Sequence, residues 1–226
     1  MRLTQKQRHR RIREAEIAAW QSTYNTERDP GLREAYTSLP RSPIELLCNP
    51  LVKDVNQGGM LRLAEAFRIQ NVIFSPEHDQ AKDYAGNRGT DIWQPHEFLP
   101  IEDAVPKAKS EGKFLVALTI SERAQPIQEI DWKFPLAIII GEERFGVPKS
   151  IEEQCDAVAA IPIFGIVQSM NVTTATAIAL YEATNAYRKF NPAFEPARTI
   201  SRNLLGLADT NYLVEENGRT WPNERP

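Results

Sequence analysis

The sequence predicts an α/β fold with a mostly parallel sheet covered on both faces. Three observations carry that prediction. Short apolar runs alternate with helical stretches over most of the 226 residues, the pattern of strands joined by helical crossovers. The run LAIIIG (residues 136–141) is apolar throughout, as a strand buried on both faces is. It leads into a glycine-bearing loop, 141–148, beyond a strand end where parallel sheets place their ligand sites.

Taken in order, the chain opens with two predicted helices, residues 4–20 and 30–38. Strands are predicted at IELLCN (44–49), NVIFS (71–75), DIWQ (91–94), KFLVALTI (113–120), LAIIIG (136–141) and AVAAIPI (157–163). Between them the helical pattern places helices at Gly59–Ile69, Pro76–Tyr84, Ile101–Ser110 and Lys149–Gln154, with a long one over Ser169–Phe190. The tail from residue 191 onward carries Pro192, Pro196, Pro222 and Pro226 and reads as loosely held unless something docks it. No internal repeat or low-complexity tract interrupts this order.

The length suits one domain with appendages, and 25% charged with 42% apolar residues is a globular composition. The longest apolar run is a strand's length, and the Arg-rich start has no apolar core, so neither a membrane span nor a secretory signal is expected and the location is expected to be cytoplasmic. Cys48 and Cys155 lie far apart without paired spacing, and His9, His78 and His96 are scattered, so neither a disulfide framework nor a metal site is expected.

A net charge of −3 conceals an uneven distribution. Arg2, Lys6, Arg8, Arg10, Arg11 and Arg13 precede the first acid, Glu14. Such an arm reads either as a solvated helix face or as an RNA contact. Near the other end Arg188, Lys189, Arg198 and Arg202 are interleaved with Tyr187, Phe190 and Phe194, a mixture suited to phosphates and stacked bases. In the last predicted helix Val172, Ala175, Ala179, Ala183 and Ala186 form one narrow stripe, with Met170, Ala177, Ile178 and Tyr181 on the other side. The stripe fits a core helix, or one that another helix approaches closely across a dimer.

Gly141 and Gly146 hint at a phosphate loop, but Val147 and Pro148 displace Lys149 and Ser150 by two positions from the required spacing. Glu142 and Glu143 inside the loop would repel a polyphosphate. With no G-x-G-x-x-G after a strand either, dehydrogenase and NTPase readings fail.

Three segments are more informative together. NPLVKDVNQGGMLRLAEAF (49–67) holds Asn56, Gly58 and Arg62; GEERFG (141–146) is followed by IPIFG (161–165); VQSMNVTTATA (167–177) closes the set. In order and spacing they resemble the N-x-G-x-x-x-R, G-x-E-x-x-G, I-P-x-x-G and S-[LM]-N-[VI]-[ST] motifs of the SpoU family of RNA 2′-O-ribose methyltransferases, in the SPOUT superfamily. The resemblance covers residues 44–190 and is strongest to the tRNA (guanosine-2′-O)-methyltransferase group. Arg68, where many members have glycine, and Met170, where leucine is commoner, depart from the pattern without removing a functional group.

The resemblance implies a SPOUT fold with a deep C-terminal trefoil knot, a homodimer, and S-adenosyl-L-methionine as cofactor. It divides the chain into an N-terminal helical extension (1–43), a methyltransferase domain (44–190) and a C-terminal tail (191–226). It implies cofactor contacts from Thr119, Ile120, Gly141, Ile161 and Met170, and a catalytic group of Arg62, Asn56, Glu143, Ser169 and Asn171. RNA, tRNA above rRNA, would be held by Arg8, Arg10, Arg11, Arg13, Arg188 and Lys189. Asn56 and Ser169 are also expected as helix caps, and Glu143 and Asn171 as loop braces more than direct participants. Arg62 reads either as the base for the ribose hydroxyl or, at lower physical cost, as a cation that stabilises the developing alkoxide. The alternative from another class is a non-catalytic RNA-binding relative.

Overall fold

The computed structural model describes residues 37–51, 54–76, 90–142 and 145–195. Arg41–Glu195 forms one of the two compact units of the chain. In chain order that unit contains β1 (Ser42–Cys48), α1 (Asp54–Ala66), β2 (Ile69–Phe74), a 3-10 turn (Thr90–Ile92), β3 (His96–Phe98), α2 (Ile101–Ser110) and β4 (Phe114–Leu118). There follow β5 (Gln125–Pro126), a second 3-10 turn (Ile127–Glu129), β6 (Leu136–Ile140), α3 (Lys149–Glu152), β7 (Ala157–Ala160) and α4 (Val172–Phe190).

The strands named above pair in parallel, in a 7-stranded sheet of order β3-β2-β1-β6-β4-β7-β5. β6 lies at the middle, Ile138 opposite Leu46 of β1 on one side and Val116 of β4 on the other. Successive strand side chains point to opposite faces. Leu136, Ile138 and Ile140 therefore join one core with Met60, Leu61 and Ala64 of α1 and Ala179, Leu180 and Ala183 of α4. Ala137 and Ile139 join the other with Ala104 and Val105 of α2 and Ile151 of α3. A strand covered on both faces has no polar side, which is why the LAIIIG run reads as continuous.

One end of the second face holds charge. Lys113, immediately before β4, lies 2.8 Å from Glu45 of β1, both nearly buried, and also pairs with the more exposed Glu111. Burial works to lower the lysine pKa, but hydrogen bonds to Glu111 and Glu45 and their negative charge outweigh it and hold the ammonium above its ordinary range. The Lys113 hydrogen bond in turn lowers the Glu111 pKa, against a smaller opposing effect of burial. The raised lysine contributes stability that is complete below its unfolded pKa and is lost as pH rises through the folded one. The lowered carboxylate contributes stability that is present above its unfolded pKa and is lost as pH falls through the folded one. The cluster therefore persists across the neutral range. Lys113→Met, which strands Glu45, is expected to cost roughly 3–5 kcal/mol, read as a lowered urea midpoint at pH 7; an unchanged midpoint would refute the role.

Several predicted boundaries move. The DIWQ segment is not a strand: Trp93 and Gln94 donate to the Thr90 carbonyl at 3.0 and 2.8 Å, closing a turn, and β3 forms after Pro95 instead. The buried Gln94 side chain serves there as a hub, accepting from Arg41 at 2.9 Å and donating to the Ile69 carbonyl at 3.3 Å. β7 ends at Ala160, before Pro162. α1 begins five residues ahead of Gly59, and α4 begins at Val172 rather than Ser169. β5 has no apolar signature and went unpredicted. The expected helices 4–20 and 30–38 (apart from Thr37 and Ser38) and Pro76–Tyr84 (apart from Pro76) lie outside the described residues, as do most of the two terminal extensions.

Candidate functional site

At the carboxyl ends of β4, β6 and β7 the sheet opens into a cavity of about 350 Å³. Each strand continues into a loop that forms one wall: Thr119 and Ile120 after β4, Gly141 after β6, Ile161 after β7, with Ser169 and Met170 approaching α4. The six residues come from four separate stretches of sequence. All five residues expected to touch a cofactor are brought together here, together with Ser169.

The middle wall is a tight reversal. Glu142 and Gly146 exchange backbone hydrogen bonds of 3.1 and 2.9 Å. Gly146 has φ of 70°, the left-handed region open to glycine. Gly141 is needed for a different reason: a Cβ there would lie 2.2 Å from the Gly146 carbonyl carbon and 2.4 Å from the Val147 nitrogen. The loop folds back so closely on its own strand end that only a hydrogen fits. Phe145 and Glu142 also line the cavity, and Glu142 is the one charged side chain among its described lining residues. Glu142 is not among the residues expected from the sequence to touch a cofactor; its place within the loop between Gly141 and Gly146 was the available signal.

Below the cavity the first and third motifs meet. Asn171 is the N-cap of α4, its side-chain oxygen accepting from the Thr173 and Thr174 backbone at 2.9 and 3.3 Å. Its amide nitrogen donates to Asn56 Oδ1 at 3.5 Å, which also accepts from Thr173 Oγ1 at 3.3 Å. Asn56 lies buried in the first turn of α1, two residues inside it, so it is not that helix's cap; nor is Ser169 the cap of α4, a place that Asn171 takes. Helices α1 and α4 come so close that a Cβ on Gly59 would lie 2.9 Å from Thr173 Cγ2. The partner of the small-residue stripe is thus within the chain: Val172, Ala179 and Ala183 are buried in the core shared with α1. Asn171→Ala should cost about 1 kcal/mol through the lost cap, seen as a lower melting temperature; no change would show the cap to be replaceable.

The remaining expected residues disperse. Arg62 is exposed on α1 and does not line this cavity. Glu143, Arg8, Arg10, Arg11 and Arg13 lie outside the described residues. Arg188 and Lys189 are exposed in the last turn of α4, where the helix dipole favours cations. The aromatics beside them are largely engaged within the protein. Tyr187 packs edge-on between Phe134 and Phe194, at 5.0 and 5.3 Å. Arg68, with φ of 51°, lays its guanidinium 4.5 Å from the Phe194 ring centre and donates to the Glu195 carbonyl at 3.0 Å. That contact docks the start of the tail; Phe190 alone of the three aromatics stays exposed.

Burial pushes the Cys155 thiol up to about 12 and also raises that of Cys48, so both stay protonated and neither is a nucleophile. Among the described residues no group of His, Cys, Asp and Glu is placed to hold a metal, and no helix is long and apolar enough to cross a membrane.

A parallel α/β sheet with a loop-walled ligand cavity beyond its strand ends defines the class of protein. The profile of the SpoU rRNA Methylase family matches residues 43–181, and the chain belongs to that family. It is 32% identical over 146 residues to the tRNA (guanosine(18)-2′-O)-methyltransferase of Escherichia coli K12, covering 63% of this chain and 64% of that protein. It is 34% identical over 148 residues to the 23S rRNA (guanosine-2′-O-)-methyltransferase RlmB of Coxiella burnetii, covering 62% and 58%. The match thus spans 64% and 58% of these two relatives' own length, less than two thirds of either. Among solved structures, the A. aeolicus TrmH/SpoU tRNA modifying enzyme superposes with a TM-score of 0.65 at 23% identity, covering 80% of this chain and 95% of that one. An AdoMet-bound rRNA methyltransferase from Sinorhizobium meliloti gives 0.60 at 24%, covering 67% and 59%. These two likenesses are of fold.

Proposed function

We propose that this protein methylates the 2′-hydroxyl of a ribose in structured RNA, tRNA before rRNA, using S-adenosyl-L-methionine, and that it acts in the cytoplasm. One observation carries the reading: residues from the loops after β4, β6 and β7 and from the approach to α4 line a single cavity of about 350 Å³. Its chemistry fits the cofactor. Ile120, Ile161 and Met170 give an adenine ring apolar walls, backbone groups of the loops can read its edge, and Glu142 offers a carboxylate to a cationic donor. When bound, the cofactor supplies an electrophilic methyl group on sulfur, and no metal is needed. The chain's own task is alignment and charge. Methyl transfer would form an O–CH₃ bond as the S–CH₃ bond breaks, with the hydroxyl proton passing to solvent water. The Arg62 guanidinium pins a phosphate and stabilises negative charge growing on the 2′-oxygen. Asn171 and Asn56 brace the loop beneath, and Ser169 and Glu143 complete the polar set.

The fold reading extends in the same way to residues 44–190 as a SPOUT domain with a trefoil knot. Ala159 of β7 pairs with both Leu118 and Gln125, so the connection between those two arches from one side of β7 to the other. Ser121 and Arg123 tie this arch to Glu152 at 3.1 and 2.8 Å. A homodimer is supported by Phe164, Ile166, Val167 and Tyr181, apolar and exposed beside the cavity loops and on α4. A dimer gives the exposed Arg62 a place to act, in the site of the partner subunit. Arg8, Arg10, Arg11, Arg13, Arg188 and Lys189 then supply phosphate contacts.

Calorimetric titration with S-adenosylmethionine, together with label transfer to total RNA and mapping of the modified ribose, tests the proposal. Cofactor binding without transfer to any RNA would overturn it in favour of a non-catalytic relative. A monomer mass by sedimentation would remove the dimer. The likeness to the Coxiella rRNA enzyme supports rRNA as the second substrate class, and the mapped RNA decides between them.

A further inference from the structure

The cavity beyond β4, β6 and β7 is almost without charge. Leu118, Ile140, Ile161 and Val172 give it apolar walls, and Thr119 and Ser169 are polar but neutral. Glu142 is the exception, the one charged side chain among its described lining residues. It stands at the first x of G-x-E-x-x-G, a place the motif leaves open, so the carboxylate is this chain's own. Among the described residues no Lys or Arg pairs with it.

Position makes that charge effective. The Glu142 backbone is held by the 3.1 and 2.9 Å hydrogen bonds it exchanges with Gly146, and it follows Gly141, which is pressed against the returning loop. The side chain is half-buried, so it acts partly through a medium less polar than water while solvent still screens it. A fixed negative charge beside apolar walls favours a cationic occupant over a neutral one of the same shape.

We propose that Glu142 is the residue by which this chain tells the charged methyl donor from its spent, uncharged product; the inference rests on the methylation reading above. S-adenosylmethionine and S-adenosylhomocysteine share their nucleoside and amino-acid ends and differ only at sulfur. Before transfer that atom is a sulfonium cation. As the methyl group bonds to the 2′-oxygen, sulfur keeps the electron pair of the broken S–CH₃ bond and becomes a neutral thioether, and the hydroxyl proton passes to solvent water. Glu142 attracts the first form and finds no charge in the second. The product therefore loses a contact as it forms, which speeds its exchange for fresh donor. The same charge slightly opposes the transfer step, because a carboxylate stabilises the full sulfonium more than the partly neutralised sulfur of the transition state. Glu142 thus serves selection and exchange, and Arg62 serves the chemistry.

The test is calorimetry on the full-length protein with three ligands: S-adenosylmethionine, S-adenosylhomocysteine and sinefungin, in which a protonated C–NH₃ group replaces the S–CH₃ sulfonium. Glu142→Gln should weaken the two cationic ligands about fivefold and leave the neutral product within about twofold of its wild-type affinity. Glu142→Asp, which keeps the charge, should restore part of the difference. Raising salt from about 0.05 M to about 0.5 M should bring wild-type affinity for the cationic pair toward that of the Gln variant. Single-turnover methyl transfer at saturating donor should rise about twofold in Glu142→Gln, so that the variant loses in KM and not in kcat. Equal weakening of all three ligands, which an amino-end anchor or a damaged loop would give, overturns the assignment, as does unchanged binding of all three or a slower transfer step. The two failures are distinguishable: a wild-type protein that binds all three ligands, with the Gln variant losing none, sinks the role of Glu142 alone, whereas a wild-type protein that binds none sinks the reading beneath it.

Discussion

Gly141→Ala is expected to abolish S-adenosylmethionine binding and to lower the melting temperature measurably. The added methyl would stand 2.2 Å from the Gly146 carbonyl carbon, 2.4 Å from the Val147 nitrogen and 2.5 Å from the Gly146 oxygen. All three are backbone atoms, so no rotamer change makes room, and the loop has to move off the strand end. Overpacking of this kind costs about 1–3 kcal/mol in a dense interior. The displacement also pulls apart the Glu142–Gly146 hydrogen bonds and carries away the middle wall of the cavity. Gly146→Ala is the milder companion: its Cβ would meet a side-chain atom, Thr119 Oγ1, at 2.8 Å, with the cost of a left-handed φ added. Calorimetry and thermal melting read both variants. Wild-type cofactor affinity in Gly141→Ala would show that the cavity beside it is not the cofactor site.

Arg62→Ala is expected to reduce methyl transfer by roughly a hundredfold to a thousandfold, the scale of losing one preorganised charge at a developing oxyanion, with cofactor affinity untouched. The separation follows from position. Arg62 is exposed on α1 and absent from the lining of the cavity, so its removal leaves those walls in place. Its exposure also makes a folding defect an unsuitable explanation for lost activity. Arg62→Lys distinguishes the two roles considered for this residue: a cation that stabilises charge is partly replaced by lysine, though without the bidentate fork. Single-turnover rates alongside the binding isotherm, on one preparation, give the answer, and unchanged turnover in Arg62→Ala removes this residue from the reaction.

The central strands were legible because burial on both faces leaves an unbroken apolar run, as in LAIIIG, and because loops at their ends carry glycines for steric reasons. Cavity residues were legible through motif order alone, since nothing in local periodicity announces that Thr119, Gly141, Ile161 and Met170 converge; that depends on the order of strands. Other features required the tertiary structure. DIWQ has the composition of a strand, yet the turn at Thr90 and the hydrogen-bonding demands on Gln94 decide otherwise. Tyr187 and Phe194 looked available to bases but satisfy one another and Arg68. The alanine stripe of the last helix signalled close approach correctly, while its partner, α1, lies more than a hundred residues earlier in the chain. β5 holds two residues, Gln125 and Pro126, and exists only because β7 arrives beside it.

The position of β6 has a consequence for synthesis on the ribosome. It alone joins β3-β2-β1 to β4-β7-β5, and it is made after β1 to β5. Until residues 136–140 emerge, β1 and β4 each present toward the place of β6 an unpaired apolar border of the kind that invites association with other chains. Arrival of this one segment satisfies both borders at once. A premature stop just upstream of it should therefore yield not a smaller working protein but a sticky one.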